Sequence, residues 1–273
     1  MKSRSTGFKG HVRPYRPADL AEAVAMWRAS KRAAFPYVEV QQLYTLENDT
    51  GYFFWSDCHV LNMDFAQRVV TNTYSQDWQP SPMAGVLRKP LAREDVERGH
   101  ATSIVKYEPG ARFSEHPHPL GEEILVLEGT FSDQTGDYPA GTYFRNPEGF
   151  SHAPFSEAGC TLLVKLHQFQ AGDEAHVVID TKTTPWLPGH GNLRVMPLHE
   201  FGHEHVALVH WPDNEKFQRH THFGGEEIYV ISGEFIDEHG RYPAGTWIRS
   251  PHLSVHDPWV EKETVLWVKT GHL

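Results

Sequence analysis

GTFSDQTGDYPAGTYFRNP, residues 129–147, returns 104 residues later as GEFIDEHGRYPAGTWIRSP, residues 233–251. The same shift lays LLVKL (162–166) on LWVKT (266–270). Upstream the shift becomes 108, and VVTNTYSQDWQP (69–80) falls on VVIDTKTTPWLP (177–188), with Trp78 over Trp186. A unit of about 100 residues is too long for a solenoid repeat and has the size of a whole domain. Within each copy, short alternating runs recur between Gly, Pro, Asp and Asn clusters: ATSIVKY, EEILVLEG, GTYFRNP and TLLVKL, then HVALVHW, EEIYVISG, GTWIRSP and TVLWVKT. That spacing predicts an all-β sandwich or barrel rather than β-α-β units. Neither copy sustains a 3.6-residue period.

Each copy also carries a polar cluster ahead of an apolar strand, HPHPLGEEILVLEG at 116–129 and HTHFGGEEIYVISG at 220–233. On a strand, residues i and i+2 point to one face, so His116 and His118 aim at one point, as do His220 and His222. Glu122 shares a face with Ile124 and Val126, whereas Glu123 goes with Leu125 and Leu127. Alternation therefore selects Glu122 over Glu123 for the interior, and Glu226 over Glu227. A buried carboxylate beside two imidazoles needs a cation or hydrogen bonds to offset its desolvation. Later in each copy come GTYFRNPEGFSH, ending at His152, and GTWIRSPHLSVH, ending at His256.

These spacings resemble the two motifs of the cupins. Gly110, His116, His118, Glu122 and Gly129 fill G-x5-H-x-H-x3-E-x6-G, and Gly141, Pro147, Gly149 and His152 fill G-x5-P-x-G-x2-H. The second copy departs at two turns, with Asn214 and Leu253 where the motifs have glycine. The GEEI strand, the Y-P-A-G-T turn and the WQPSP segment make residues 63–273 similar to a two-domain cupin of the ChrR-like type. The resemblance implies two tandem jelly rolls (double-stranded β-helices), at 63–170 and 171–273. It also implies one divalent transition metal per domain, Fe2+ or Zn2+ first and Mn2+ or Ni2+ as alternatives. The implied ligands are His116, His118, Glu122 and His152, then His220, His222, Glu226 and His256. Two functions follow from the resemblance: a dioxygenase acting on a diketone or aromatic ketone, or a metal-dependent sensing module akin to the cupin half of ChrR-type anti-sigma factors. The H-x3-C-x2-C zinc motif of those factors' helical domain has no counterpart here, Cys58 standing alone.

Residues 1–62 read differently. HVRPYR suggests a short strand, and PADLAEAVAMWRASKRAAF an amphipathic helix with Pro17 in its first turn. This β-α opening resembles the start of GNAT-type N-acetyltransferases. The glycine-rich turn with which that family binds acetyl-CoA does not occur in the first hundred residues. A docking helix or an upstream extension is the expected role.

Composition bounds the rest. Of 273 residues, 39% are hydrophobic and 22% charged, as in a globular protein. Residues 1–62 hold 8 basic and 6 acidic side chains, and the remainder 17 and 29. That acidity argues against nucleic acid as a partner. No apolar run reaches the roughly 18 residues of a membrane span, and no apolar segment follows the basic N-terminus. Two cysteines, Cys58 and Cys160, fit a reducing cytoplasm. The expected partner is a small ligand or substrate, with a homodimer left open. HEFGH at 199–203 matches H-E-x-x-H, but Pro197 and Gly202 and its place at a strand argue against a helical zinc site. His100, His167, His176, His190 and His205 show no ligand spacing, and Tyr138 and Tyr242 are expected to pack.

Overall fold

The computed structural model describes residues 60–95 and 99–273, nearly all of it strand, with no α-helix among the described residues. The strand and helix expected within 1–59, the acetyltransferase resemblance and Cys58 lie outside the described residues. Two jelly rolls are present, as the cupin resemblance implies. In the first, the large sheet runs Val177–Asp180, Thr142–Asn146, Glu122–Asp133, Cys160–Leu166, Ala101–Tyr107, Val86–Arg93, Gln79–Pro80. In the second it runs Val69–Asn72, Thr246–Ser250, Glu226–Ser232, Thr264–Thr270, Glu204–Trp211, Arg194–Phe201, Leu187–Pro188.

The two orders match strand for strand except in origin at the edge. Val69–Asn72 opens the first repeat but pairs with the second barrel, Val69 opposite Arg249 and Asn72 opposite Thr246. Val177–Asp180 opens the second repeat but pairs with the first barrel, Val177 opposite Arg145 and Asp180 opposite Thr142. The hydrogen bonds that end the two exchanged strands are equivalent. Thr73 N donates to Gly245 O at 2.9 Å, and Thr181 N to Gly141 O at 3.0 Å. As sequence the repeats are consecutive; as solids they are interlaced.

Three cores follow from the alternation of side chains along these strands. Ile124, Val126, Phe131, Phe144, Leu162 and Val164 fill the first barrel, and Ile228, Val230, Phe235, Ile248 and Leu266 the second. The opposite faces meet between the barrels, where Leu125, Tyr143 and Leu163 pack with Met196, Leu208, Tyr229, Trp247 and Trp267. Trp78 and Trp186, paired by the repeat, both lie against this third core. Burying both faces of each large sheet leaves the small sheets to carry the open end of each barrel.

Candidate metal centres

At that end two short ladders place the histidines. His116–Pro117 pairs antiparallel with Ser151–His152, with His116 opposite His152. His220–Thr221 pairs with Val255–His256, with His220 opposite His256. Glu122 and Glu226 each begin the long strand that enters the large sheet. Cross-strand neighbours lie about 5 Å apart, so the ladder brings the first and last histidines of each motif together from residues 36 positions distant.

Backbone and carboxylate acceptors orient the rings. His116 Nδ1 lies 2.9 Å from Ser114 O, and His220 Nδ1 2.9 Å from Gln218 O. A carbonyl only accepts, so Nδ1 carries the proton and Nε2 turns its lone pair inward. His152 Nδ1 faces Asp133 Oδ2 at 3.1 Å, with the same result.

The inward atoms converge. In the first barrel, His118 Nε2 and His152 Nε2 are 2.9 Å apart, and Glu122 Oε2 lies 3.5 Å and 3.4 Å from them. The donor atoms of His116, His118 and His152 are all within 4.8 Å of one another, while Glu122 approaches two of the three. In the second barrel His220, His222, Glu226 and His256 together form such a set. There His220 Nε2 and His256 Nε2 are 3.3 Å apart, and Glu226 Oε2 is 3.5 Å from His222 Nε2. All eight residues expected from the sequence thus gather in two clusters of four. The first histidine of each cluster is half-buried and the other six residues are buried.

Two lone pairs at 2.9 Å repel unless a proton or cation lies between them. An ion bonded at about 2.1 Å to each nitrogen spaces them by roughly 3.0–3.4 Å, close to the 2.9 Å and 3.3 Å of the two centres. His222 Nε2 and Glu226 Oε2 are buried and have no hydrogen-bond partner, which is costly for polar atoms left without a ligand. The donor set and the orphaned pair both fit a divalent transition metal.

The electrostatics of His118 and His222 agree with that fit, whereas at His152 burial is outweighed by Asp133 and Glu122, which raise the imidazole above its ordinary value. Burial pushes the His118 imidazole down to about 4, and burial with His256 and His220 pushes His222 down to about 3. Neutral imidazole is the form that binds metal. Burial raises the Glu226 carboxyl to about 7 despite His256. At Glu122 burial acts the same way, but His118, His152 and the Asn146 amide, 3.1 Å away, outweigh it and leave the carboxyl below its ordinary value. Ser250 replaces Asn146 in the second copy.

Sequence reasoning missed the shell around these ligands. Asp133 and Asp237 back His152 and His256, at 3.1 Å and 3.6 Å. Phe113 and Phe217 lie against His116 and His220, and Phe131 and Phe235 against His152 and His256. Asp133 with Asp237, Phe113 with Phe217 and Phe131 with Phe235 all recur at the 104-residue shift, so the repeat marked these positions though not their roles. Tyr138 and Tyr242 are buried and hydrogen-bonded, to Thr135 and Asp237.

HEFGH spans the end of strand Arg194–Phe201 and a following turn, not a helix. His199 does join Asp173 and Glu204 in a compact group. Its carboxylates, however, are held by cations, Arg145 to Asp173 and Glu204, and Lys269 to Glu204 at 2.8 Å. Two resident cations leave no electrostatic reason for a metal there.

Family comparison agrees with the geometry. The ChrR cupin-like domain model matches twice, over residues 66–170 and 174–273. The chain belongs to that family. No curated protein matches it in sequence. Among solved structures it is similar to a candidate dioxygenase from Nostoc punctiforme, at 15% identity and TM-score 0.66, covering 76% of this chain and 84% of that one. It is also similar to oxalate decarboxylase of Bacillus subtilis, in a mutant form (14%, TM-score 0.52, 74% and 76%). A third is a bacterial pirin from Escherichia coli solved with nickel(II) (12%, TM-score 0.55, 75% and 98%). At these identities the likeness is one of fold. None of the described helices is long and apolar enough to cross a membrane.

Proposed function

We propose that this bicupin holds one divalent transition metal in each barrel and uses at least one of them as a dioxygenase on a small ketone-type substrate. The ligands are His116, His118, Glu122 and His152 in the first barrel, and His220, His222, Glu226 and His256 in the second. The observation that carries the metal reading is the inward convergence of bare imidazole nitrogens on a buried carboxylate, with His222 Nε2 and Glu226 Oε2 left unpartnered. Fe2+ or Zn2+ suits this set, with Mn2+ and Ni2+ as alternatives, and Fe2+ is the ion for oxygen chemistry.

When bound, such an ion supplies a Lewis acid and, as iron, an electron path between substrate and O2. The chain's own residues do the rest. Ser114 and Gln218 carbonyls and the Asp133 carboxylate fix the imidazoles that face the ion. Phe113 and Phe131 set apolar rings against His116 and His152, and an apolar surround strengthens charge interactions. The half-buried flank at His116 and His220 is the side from which a ligand reaches the ion. With a β-diketone, cleavage by O2 gives a carboxylic acid and an α-ketoaldehyde. Both oxygen atoms enter the products and no outside reductant is needed.

The competing reading is a metal-dependent sensing or ligand-binding module. It is favoured by the aromatic filling beneath His152, where Phe131 and Phe144 stack at 5.6 Å and Tyr138 and Phe144 at 4.9 Å. Elemental analysis of protein purified without added metal tests the shared premise. Close to two equivalents of transition metal per chain are expected, and fewer than about 0.3 would refute metal binding, because a preformed site retains its ion. Oxygen uptake by the Fe(II)-loaded protein with a panel of β-diketones then separates the two, and no uptake with any of them favours the sensing or ligand-binding module.

A further inference from the structure

The two centres are not supported alike. Asp133 Oδ1 accepts from the Thr135 amide and hydroxyl, at 2.7 and 2.5 Å, leaving Oδ2 to His152 Nδ1 at 3.1 Å. At the equivalent Asp237, Oδ1 accepts from the amides of His239 and Gly240 and from the Tyr242 hydroxyl. Its Oδ2 is taken by Arg68 Nη2 at 3.1 Å, and His256 Nδ1 stands off at 3.6 Å. The same guanidinium nitrogen donates to the Tyr242 hydroxyl at 2.8 Å, and the Asp237 side chain is only 1% exposed. The oxygen that the imidazole needs is therefore shared with a permanent, partly buried cation.

Arg68 comes from the other repeat. It immediately precedes the exchanged strand Val69–Asn72, whose pairing with Thr246–Ser250 carries it to the second barrel. In the first barrel the residue ahead of the exchanged strand is His176, whose ring stacks instead on Phe150 at 5.3 Å.

We propose that Arg68 is a positioning residue that weakens the Asp237–His256 bond, making the second centre hold its metal less tightly and act as the stronger Lewis acid. The inference rests on the metal-binding reading above. A carboxylate accepting from Nδ1 raises the basicity of Nε2 and stiffens the ring. A charge-assisted bond from guanidinium to that same oxygen withdraws the effect. The cation also repels a second cation at the centre. Both influences lower affinity at the second centre. The Asn146 bond to Glu122 acts on the first centre alone, so each centre is best compared with its own variants.

The test uses full-length chains with one centre disabled, by His118→Ala with His152→Ala or by His222→Ala with His256→Ala. Zinc affinity is read by competition with a chromophoric chelator. Arg68→Met is expected to raise affinity at the second centre about tenfold or more, and to leave the first within about twofold. Asp133→Asn is expected to weaken the first centre about 10–100-fold. Asp237→Asn weakens the second by a few-fold at most, until Arg68→Met is added and its effect rises to match. A gain in affinity is not something misfolding produces, so the sign separates positioning from mere scaffolding. If the methionine variant melts early, Arg68→Gln keeps a neutral donor to Tyr242 and carries the same expectation. Unchanged or lower affinity at the second centre in a folded variant overturns the proposal. Zinc binding at neither wild-type centre refutes the metal reading itself, and shows before any Arg68 variant is made.

Discussion

Leu253 sits where the motif has glycine, and its backbone kept the glycine conformation: φ is +63° there and +83° at Gly149 in the first repeat. A leucine in the left-handed region costs roughly 1–2 kcal/mol, because Cβ crowds the following carbonyl. The side chain is 53% exposed, so little packing offsets that cost. Leu253→Gly should therefore stabilise the protein by about 1 kcal/mol after the added chain entropy of glycine. Chemical denaturation reads this directly, and a loss of stability would mean that Leu253 has a packing role. Asn214, at φ +58°, is a residue type that tolerates this region, and Asn214→Gly should be near neutral. At this scale the sequence was informative wherever alternation decides. Glu122 faces the barrel with Ile124 and Val126, while Glu123 goes to the opposite face with Leu125, as the period of two requires. The repeat marks Asp133 and Asp237 as equivalent positions, but their role behind His152 and His256 was not legible, because it depends on contacts 19 residues apart that no local period encodes.

Strands as units explain how the repeat became one molecule. Val69–Asn72 and Val177–Asp180 occupy equivalent edges in opposite barrels. The sequence shift changes from 108 to 104 between these strands and the rest, a sign of a hinge-like connection, but a repeat alignment is blind to which barrel a strand joins. Strand Thr142–Asn146 of the first repeat lacks its edge partner if the chain ends at residue 170. The only equivalent strand such a fragment owns is Val69–Asn72, and in the full chain that strand pairs with Thr246–Ser250, the counterpart of Thr142–Asn146. A fragment spanning 60–170 should therefore form a two-fold dimer by reciprocal exchange, the closed arrangement that swapping favours. Light scattering on the purified fragment checks it. A well-folded monomer would show that the exchanged edge is dispensable, and extension to residue 188 should restore a monomer by supplying Val177–Asp180 in the same chain.

Across the whole molecule, the outward faces of both large sheets are buried, and charges lie among them. Lys269 of the second barrel reaches Glu123 of the first at 2.8 Å, and Lys165 of the first reaches Glu227 of the second at 2.6 Å. The lysines of LLVKL and LWVKT recur at equivalent positions of the two repeats. Their alternation gives the face, but that the face is buried follows from the two barrels meeting. Glu123 also accepts from Tyr143 and Arg145, at 3.0 and 3.1 Å. Burial pushes its carboxyl up, but Lys269 and Arg145 outweigh burial and hold it at about 2, against an ordinary 4.5. Removing one partner of a buried pair costs about 3–5 kcal/mol. Lys269 and Arg145 keep Glu204 as a second acceptor, which places Glu123→Gln near the low end, about 3 kcal/mol. The pH dependence follows from the lowered value. The unfolded chain takes up the proton near 4.5 and the folded one only near 2, so the ionic contribution is complete above pH 4.5 and is lost as pH falls through 2. The stability gap between wild type and Glu123→Gln should stay level from pH 8 to 5 and close below it. Urea midpoints measured across that range decide the matter: a gap that widens on acidification would mean that Glu123 joins the barrels as a neutral hydrogen-bonding group, not as an ion.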